Sequence, residues 1–148
     1  MSKHTKEKKI EAHLRHYKTY KVGITNCEKQ LEYIMPNITA TYDFKGNGSF
    51  IANSTAQIAL DRIESLRALE LHETIKKYSH IVESIDRATG ELTEIEKRFV
   101  ILRYFDLMQM GEVTTALGYA EEKSTYRIRR HVLDKLLISL KNLLDMEI

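Results

Sequence analysis

The sequence predicts an all-α protein in three parts. These are an N-terminal helical segment with a polar loop (1–53), a long linker helix (54–90), and a C-terminal helix-turn-helix domain that ends in a Leu-rich helix (91–148). Three observations carry the expectation. Apolar residues recur three and four apart over most of the chain, the period of an amphipathic helix. Helix breakers are scarce, with one Pro and six Gly in 148 residues. β-branched residues, which favour strands, are at low density.

The first nine residues, MSKHTKEKK, form a basic polar tip, and residues 1–21 hold seven Lys or Arg against two acids. Two roles are open for this positive front: contact with a DNA backbone, or a solvated arm. Ile10, Leu14 and Tyr17, then Leu31, Ile34 and Met35, predict helix over 10–35 with an interruption near Gly23. Pro36 should end it, since proline donates no backbone bond and clashes with the preceding turn. Residues 36–53 are rich in Asn, Gly and Thr, and KGNGS signals a turn. Residues 38–44 and 49–52 either pair as a short hairpin or lie in an ordered loop with Tyr42, Phe44 and Phe50 packed inward. Gly46-Asn47-Gly48 lacks the Lys-Ser/Thr that a phosphate loop requires.

A helix capped by Asn53 or Ser54 should run to about Arg87, before the ATGEL break. At 1.5 Å per residue it would span roughly 50 Å, long enough to need a partner from the same chain or from a second copy.

Leu92 to Leu137 is the most informative stretch. Thr93 with Glu96 fits a capping box, in which each side chain satisfies a free backbone N–H at a helix start. The helix behind it (Ile95, Phe99, Val100, Leu102) should end near Phe105-Asp106. Met110 to Leu117 makes a short helix with Val113 and Leu117 on one face, and Gly118 stops it by adopting a left-handed conformation. After the GYAEE turn a helix restarts near Lys123. A short helix, a glycine turn and a basic helix make a helix-turn-helix, a motif whose second helix lies in the major groove of DNA.

The charge on that second helix is one-sided. Thr125, Ile128, Val132 and Leu136 share one face, while Lys123, Arg127 and Arg130 share the opposite one, with Ser124, Tyr126 and His131 at its margins. Asp134 is the one acid there, at the far end. Arginine forks match guanine O6/N7 or phosphate oxygens with paired bonds. The candidate DNA-binding residues are therefore Lys123, Ser124, Tyr126, Arg127, Arg129, Arg130 and His131, on a recognition helix over about 123–137; a solvated basic face is the plainer alternative. The helix is expected to continue through Leu133, Leu137, Leu140 and Leu144, with Leu136 and Leu143 widening the seam. Such a seam serves either the chain's own core or a homodimer.

The segments LTEIEKRFVILRYF, ALGY and STYRIRRHVLDKL resemble region 4 of bacterial sigma factors. Over roughly residues 25–140 the chain is similar to the ArpU/RinA family of phage late-gene regulators, and YRIRRHVLDKL is the most specific part. The resemblance implies a sigma region 4-like helix-turn-helix in a sequence-specific double-stranded DNA-binding regulator. Such a protein would activate phage packaging and lysis genes in the bacterial host cytoplasm, with bacterial RNA polymerase and a second copy of the chain as further partners. Two local differences stand out. Thr114 occupies the crossing position where Ala or Gly is usual, and the stretch from Gly118 to Ile128 is one residue longer, which requires a bulged turn or a later helix start. Region 2 of a sigma factor has no counterpart, so a free-standing sigma factor is not expected. The alternatives are a small terminase subunit-like packaging protein and an adaptor that binds RNA polymerase.

Other classes are less well supported. Net charge is only +2, short of a histone-like field. The single Cys27 makes no internal disulfide, which fits a reducing cytosol. No apolar run suits a membrane span or a secretory signal. His13 and His16 lie i,i+3 with Glu11 nearby, but no second ligand cluster accompanies them. His72 and His80 stand singly, and no Ser/His/Asp set or acid pair is arranged for catalysis. Neither enzymatic activity nor a metal or other cofactor is expected.

Overall fold

Apolar residues at helical spacing build helices almost throughout the described chain. The computed structural model describes the backbone of residues 1–45 and 54–147 and the side chains of residues 1–34 and 55–147. Six α-helices follow one another: α1 (Lys3–Arg15), α2 (Tyr17–Lys45), α3 (Ser54–Gly90), α4 (Glu94–Val100), α5 (Met110–Ala116) and α6 (Glu122–Ser139). α4 continues as a π turn over Ile101–Phe105, and a 3-10 turn over Lys141–Leu143 follows α6. No strand occurs among the described residues.

Several details differ from expectation. The N-terminal interruption falls at His16, between α1 and α2, and α2 runs unbroken through Gly23. Glycine there answers to close packing: a Cβ on Gly23 would lie 3.0 Å from Cε2 of Tyr78. α2 also passes through Pro36 to Lys45. Proline costs a helix interior about 3 kcal/mol through one lost bond and a clash, and α2 bears that cost rather than ending. Residues 38–44 are accordingly helical, neither hairpin nor loop. The expected turn and second extended piece, 46–52, lie outside the described residues, as does the side chain of Phe50.

The chain packs as two units: Met1–Tyr20 with His80–Ile148, and Lys21–Ser79. These divisions do not follow the expected boundaries at 53 and 90, because the core of the first unit draws on distant segments. Its fully buried side chains come from α1 (Ile10, Leu14), α3 (Ile81, Ile85), α4 (Phe99, Val100), the π turn (Tyr104), α5 (Val113) and α6 (Val132, Leu133, Leu136). Leu140 and Leu143 are fully buried as well. The leucine seam is therefore intramolecular core. Its helix also stops sooner than expected, at Ser139, with Leu140 as the cap residue.

The second unit has its own smaller core. Leu31 and Ile34 of α2 meet Ala68 of α3, with Leu71 and Ile75 packed against them. On α3, Ile58, Leu60, Ile63, Leu66 and Leu69 are exposed while Asp61 is buried. No described helix is long and apolar enough to cross a membrane.

Candidate nucleic-acid interface

The approach to α6 is built by local rules. Thr93 and Glu96 form the reciprocal capping box: Thr93 N–H donates to Glu96 Oε1 at 3.0 Å and Glu96 N–H donates to Thr93 Oγ1 at 3.3 Å. The π turn that extends α4 leads into Leu107, whose φ of 58° is left-handed, and Arg103 donates to the Met108 carbonyl at 2.8 Å across that bend. α5 ends in a Schellman pattern. Gly118 has φ +81°, its N–H donates to Thr115 O at 3.0 Å, and Tyr119 N–H donates to Thr114 O at 3.0 Å. α6 starts at Glu122, with Glu121 as its cap residue.

Thr114, larger than the usual small residue, is accommodated by pairing. It is buried, its hydroxyl donates to Met110 O at 2.8 Å, and it lies 2.7 Å from the Thr125 hydroxyl on α6. Because the Thr114 proton is spent on Met110, Thr125 is the donor between the two. This hydroxyl pair joins α5 to α6.

α6 is held from both sides. Lys135 Nζ donates to Glu96 Oε1 at 2.7 Å, so the acid that caps α4 also anchors α6. Burial pushes the Glu96 carboxyl up, but the bonds from Lys135 and from Thr93 reverse this and hold it below its ordinary value. On the other side stands α1. Arg129 Nη2 donates to Glu11 Oε1 at 3.0 Å, and Tyr104 OH donates to Glu11 Oε2 at 2.6 Å. Arg130 donates to Glu7 and lies 3.8 Å from Asp134, which Lys3 meets at 3.3 Å. Burial opposes the Arg129 charge, but Glu11 and Tyr104 raise its pKa overall. Burial also drives the Tyr104 hydroxyl well above its ordinary range, with Glu11 adding to the shift.

These contacts divide the seven sequence-predicted residues. Lys123, Tyr126, Arg127 and His131 are exposed, and among the described residues their side chains have no hydrogen-bond or ion-pair partner. Ser124 is half-buried. Arg129 and Arg130, expected to face a groove, are turned to the acids of α1. Their side chains remain partly exposed, 25% for Arg129 and 46% for Arg130, but each is tied to a buried carboxylate. Sequence reasoning missed Glu7 and Glu11 as their partners. The signal was there: these are the two acids of residues 1–21, four apart and on the same stripe as Ile10 and Leu14.

The pair His13 and His16 forms no ligand set with Glu11. His13 is fully buried with both ring nitrogens engaged, Nδ1 with Tyr20 OH at 2.8 Å and Nε2 with Met146 O at 3.2 Å. A carbonyl only accepts, so Nε2 carries the proton and Nδ1 receives the phenol's. No group of three or more His, Cys, Asp or Glu suited to a metal occurs among the described residues.

No family model, curated protein or solved structure matches the chain.

Proposed function

We propose that the protein is a sequence-specific double-stranded DNA-binding transcription regulator in which α5, the Gly118 turn and α6 form a sigma region 4-like helix-turn-helix. One observation carries the reading. Lys123, Tyr126 and Arg127 stand exposed on the first two turns of α6, with no partner among the described residues, immediately after a glycine-terminated turn. The N-terminal residues of a recognition helix are those that reach base edges. The reading surface is then shorter than the sequence alone suggests: Arg127 is the base-reading arginine, with Lys123, Ser124, Tyr126 and His131 around it. Arg129 and Arg130 fix the helix in place.

The likeness over roughly residues 25–140, most specific in YRIRRHVLDKL, to late-gene regulators favours activation of phage packaging and lysis genes, in concert with bacterial RNA polymerase. Pairing of two copies on paired half-sites is assigned to the apolar row Ile58, Ile63, Leu66 and Leu69 of α3, since the leucine seam is occupied by the chain's own core. Sedimentation finding only monomer at high concentration removes that part. The regulator itself is tested by recovering the genomic fragments that the purified protein retains at moderate salt. Fragments clustered upstream of one operon support it; fragments scattered at random, or none, overturn it.

A further inference from the structure

We propose that α1 is a second DNA-contacting element, whose lysines grip the phosphate backbone beside the groove entered by α6. The inference rests on the DNA-binding reading above and adds to it a surface outside the α5–α6 pair.

Its first support is how the charges of α1 are sorted. The helix has two acids, Glu7 and Glu11, and both are buried, at 4% and 5% exposure. They are spent on Arg130 and Arg129. The charges that α1 leaves accessible are of one sign: Lys3, His4, Lys8 and Arg15 are exposed, and Lys6 and Lys9 are half-buried. Lys3 reaches Asp134 and Arg15 lies 3.9 Å from Glu11, while Lys6, Lys8 and Lys9 have no acid within ion-pair distance among the described residues. A helix face kept for solubility would mix signs. Docking of α1 thus neutralises two arginines near the middle of α6 and adds lysines beside them.

The second support is continuity. The pairs Lys3–Asp134, Glu7–Arg130 and Glu11–Arg129 run in opposite chain directions, so α1 lies antiparallel along α6. The C-terminal end of α1 therefore points toward the first turns of α6, where Lys123 and Arg127 stand exposed. A 13-residue helix is about 20 Å long, and a duplex carries one charge per ~1.7 Å of axis. The helix spans several phosphates. Non-directional ammonium groups suit that task, which needs charge and no base discrimination.

The test uses the full chain with Lys6, Lys8 and Lys9 all changed to Gln. Binding is followed by fluorescence anisotropy on a retained genomic duplex and on a random one, between about 50 and 200 mM salt. The expected result is the same fold loss on both duplexes, and a slope of log K against log salt that is shallower by about 0.9 for each lysine that met a phosphate. Lys8→Gln alone, at an exposed position, should flatten the slope by about 0.9 and guards against a misfolded triple variant. An unchanged slope with normal binding by the parent overturns the role of α1 while leaving the α6 reading intact. A loss confined to the genomic duplex also overturns it, since that would mark base reading. If the parent binds neither duplex, both readings fall.

Discussion

Glu11 stands between Arg129 and Tyr104, with one carboxylate oxygen accepting from the guanidinium at 3.0 Å and the other from the phenol at 2.6 Å. The three residues come from α1, α6 and the π turn, so one acid ties together segments more than ninety residues apart in sequence. Removing one member of a buried ion pair strands the other. Arg129→Ala should therefore destabilise the first unit by about 3 kcal/mol, read as a lower urea midpoint. A loss below about 1 kcal/mol would reduce the contact to a surface pair.

Arg127→Ala separates reading from folding. Its side chain is exposed and makes no bond to a described residue, so the unfolding midpoint should not move. Affinity for the preferred duplex should fall by about 1–3 kcal/mol, with weaker discrimination against altered sequences. Arg130→Ala should do the reverse, lowering stability through the loss of Glu7 while leaving sequence preference in place. A titration in which Arg130→Ala alone erases preference would contradict this division.

His13 predicts a pH limb. Burial lowers its pKa below the ordinary 6.5, and the charges of Lys9 and His16 lower it further, against opposing backbone bonds from Met146 and Leu143. A group whose folded pKa is depressed contributes stability that is present above its unfolded pKa and lost as pH falls through the folded one. The thermal midpoint should thus drop from about pH 6.5 downward, and His13→Gln should flatten that limb. The check is calorimetry of both proteins across this range; identical curves would exclude His13 as the cause.

Glu96 acts in the same direction at lower pH. Its carboxyl is held below the ordinary 4.5 by Lys135 and Thr93 against the cost of burial, so its contribution is present above 4.5 and fades as acid protonates it. Glu96→Gln should make the acid limb below that value shallower, and should loosen both the cap of α4 and the anchor of α6. Unfolding curves at mildly acidic pH decide it.

Gly118 has φ +81°, and a left-handed residue with a Cβ costs roughly 1–2 kcal/mol. Nothing lies within 4 Å of where that Cβ would stand, so Gly118→Ala should cost about that backbone term alone. Guanidine unfolding measures it, and a neutral result would mean the turn relaxes.

The C-terminal elements were legible in the sequence because their signals are local. Thr93 with Glu96, the Gly118 stop and the restart of helix beside Lys123 each depend on residues within a few positions. Three things were not legible, and all are long-range. The pairing of Arg129 and Arg130 is set by acids more than a hundred residues earlier. The fate of the leucines after Val132 depended on whether α1 and the end of α3 would cover them, which spacing on one helix cannot tell. The passage of α2 through Pro36 ran against a strong local preference, and no residue nearby announces it.

The π turn after α4 has a consequence of phase. A five-residue widening sets the angular position of every side chain that follows it, as inserting one residue into a regular helix rotates the remainder by about 100°. Deleting Leu102 would swing the Tyr104 phenol out of reach of its carboxylate, a rotational mismatch that no repacking of the interior would correct.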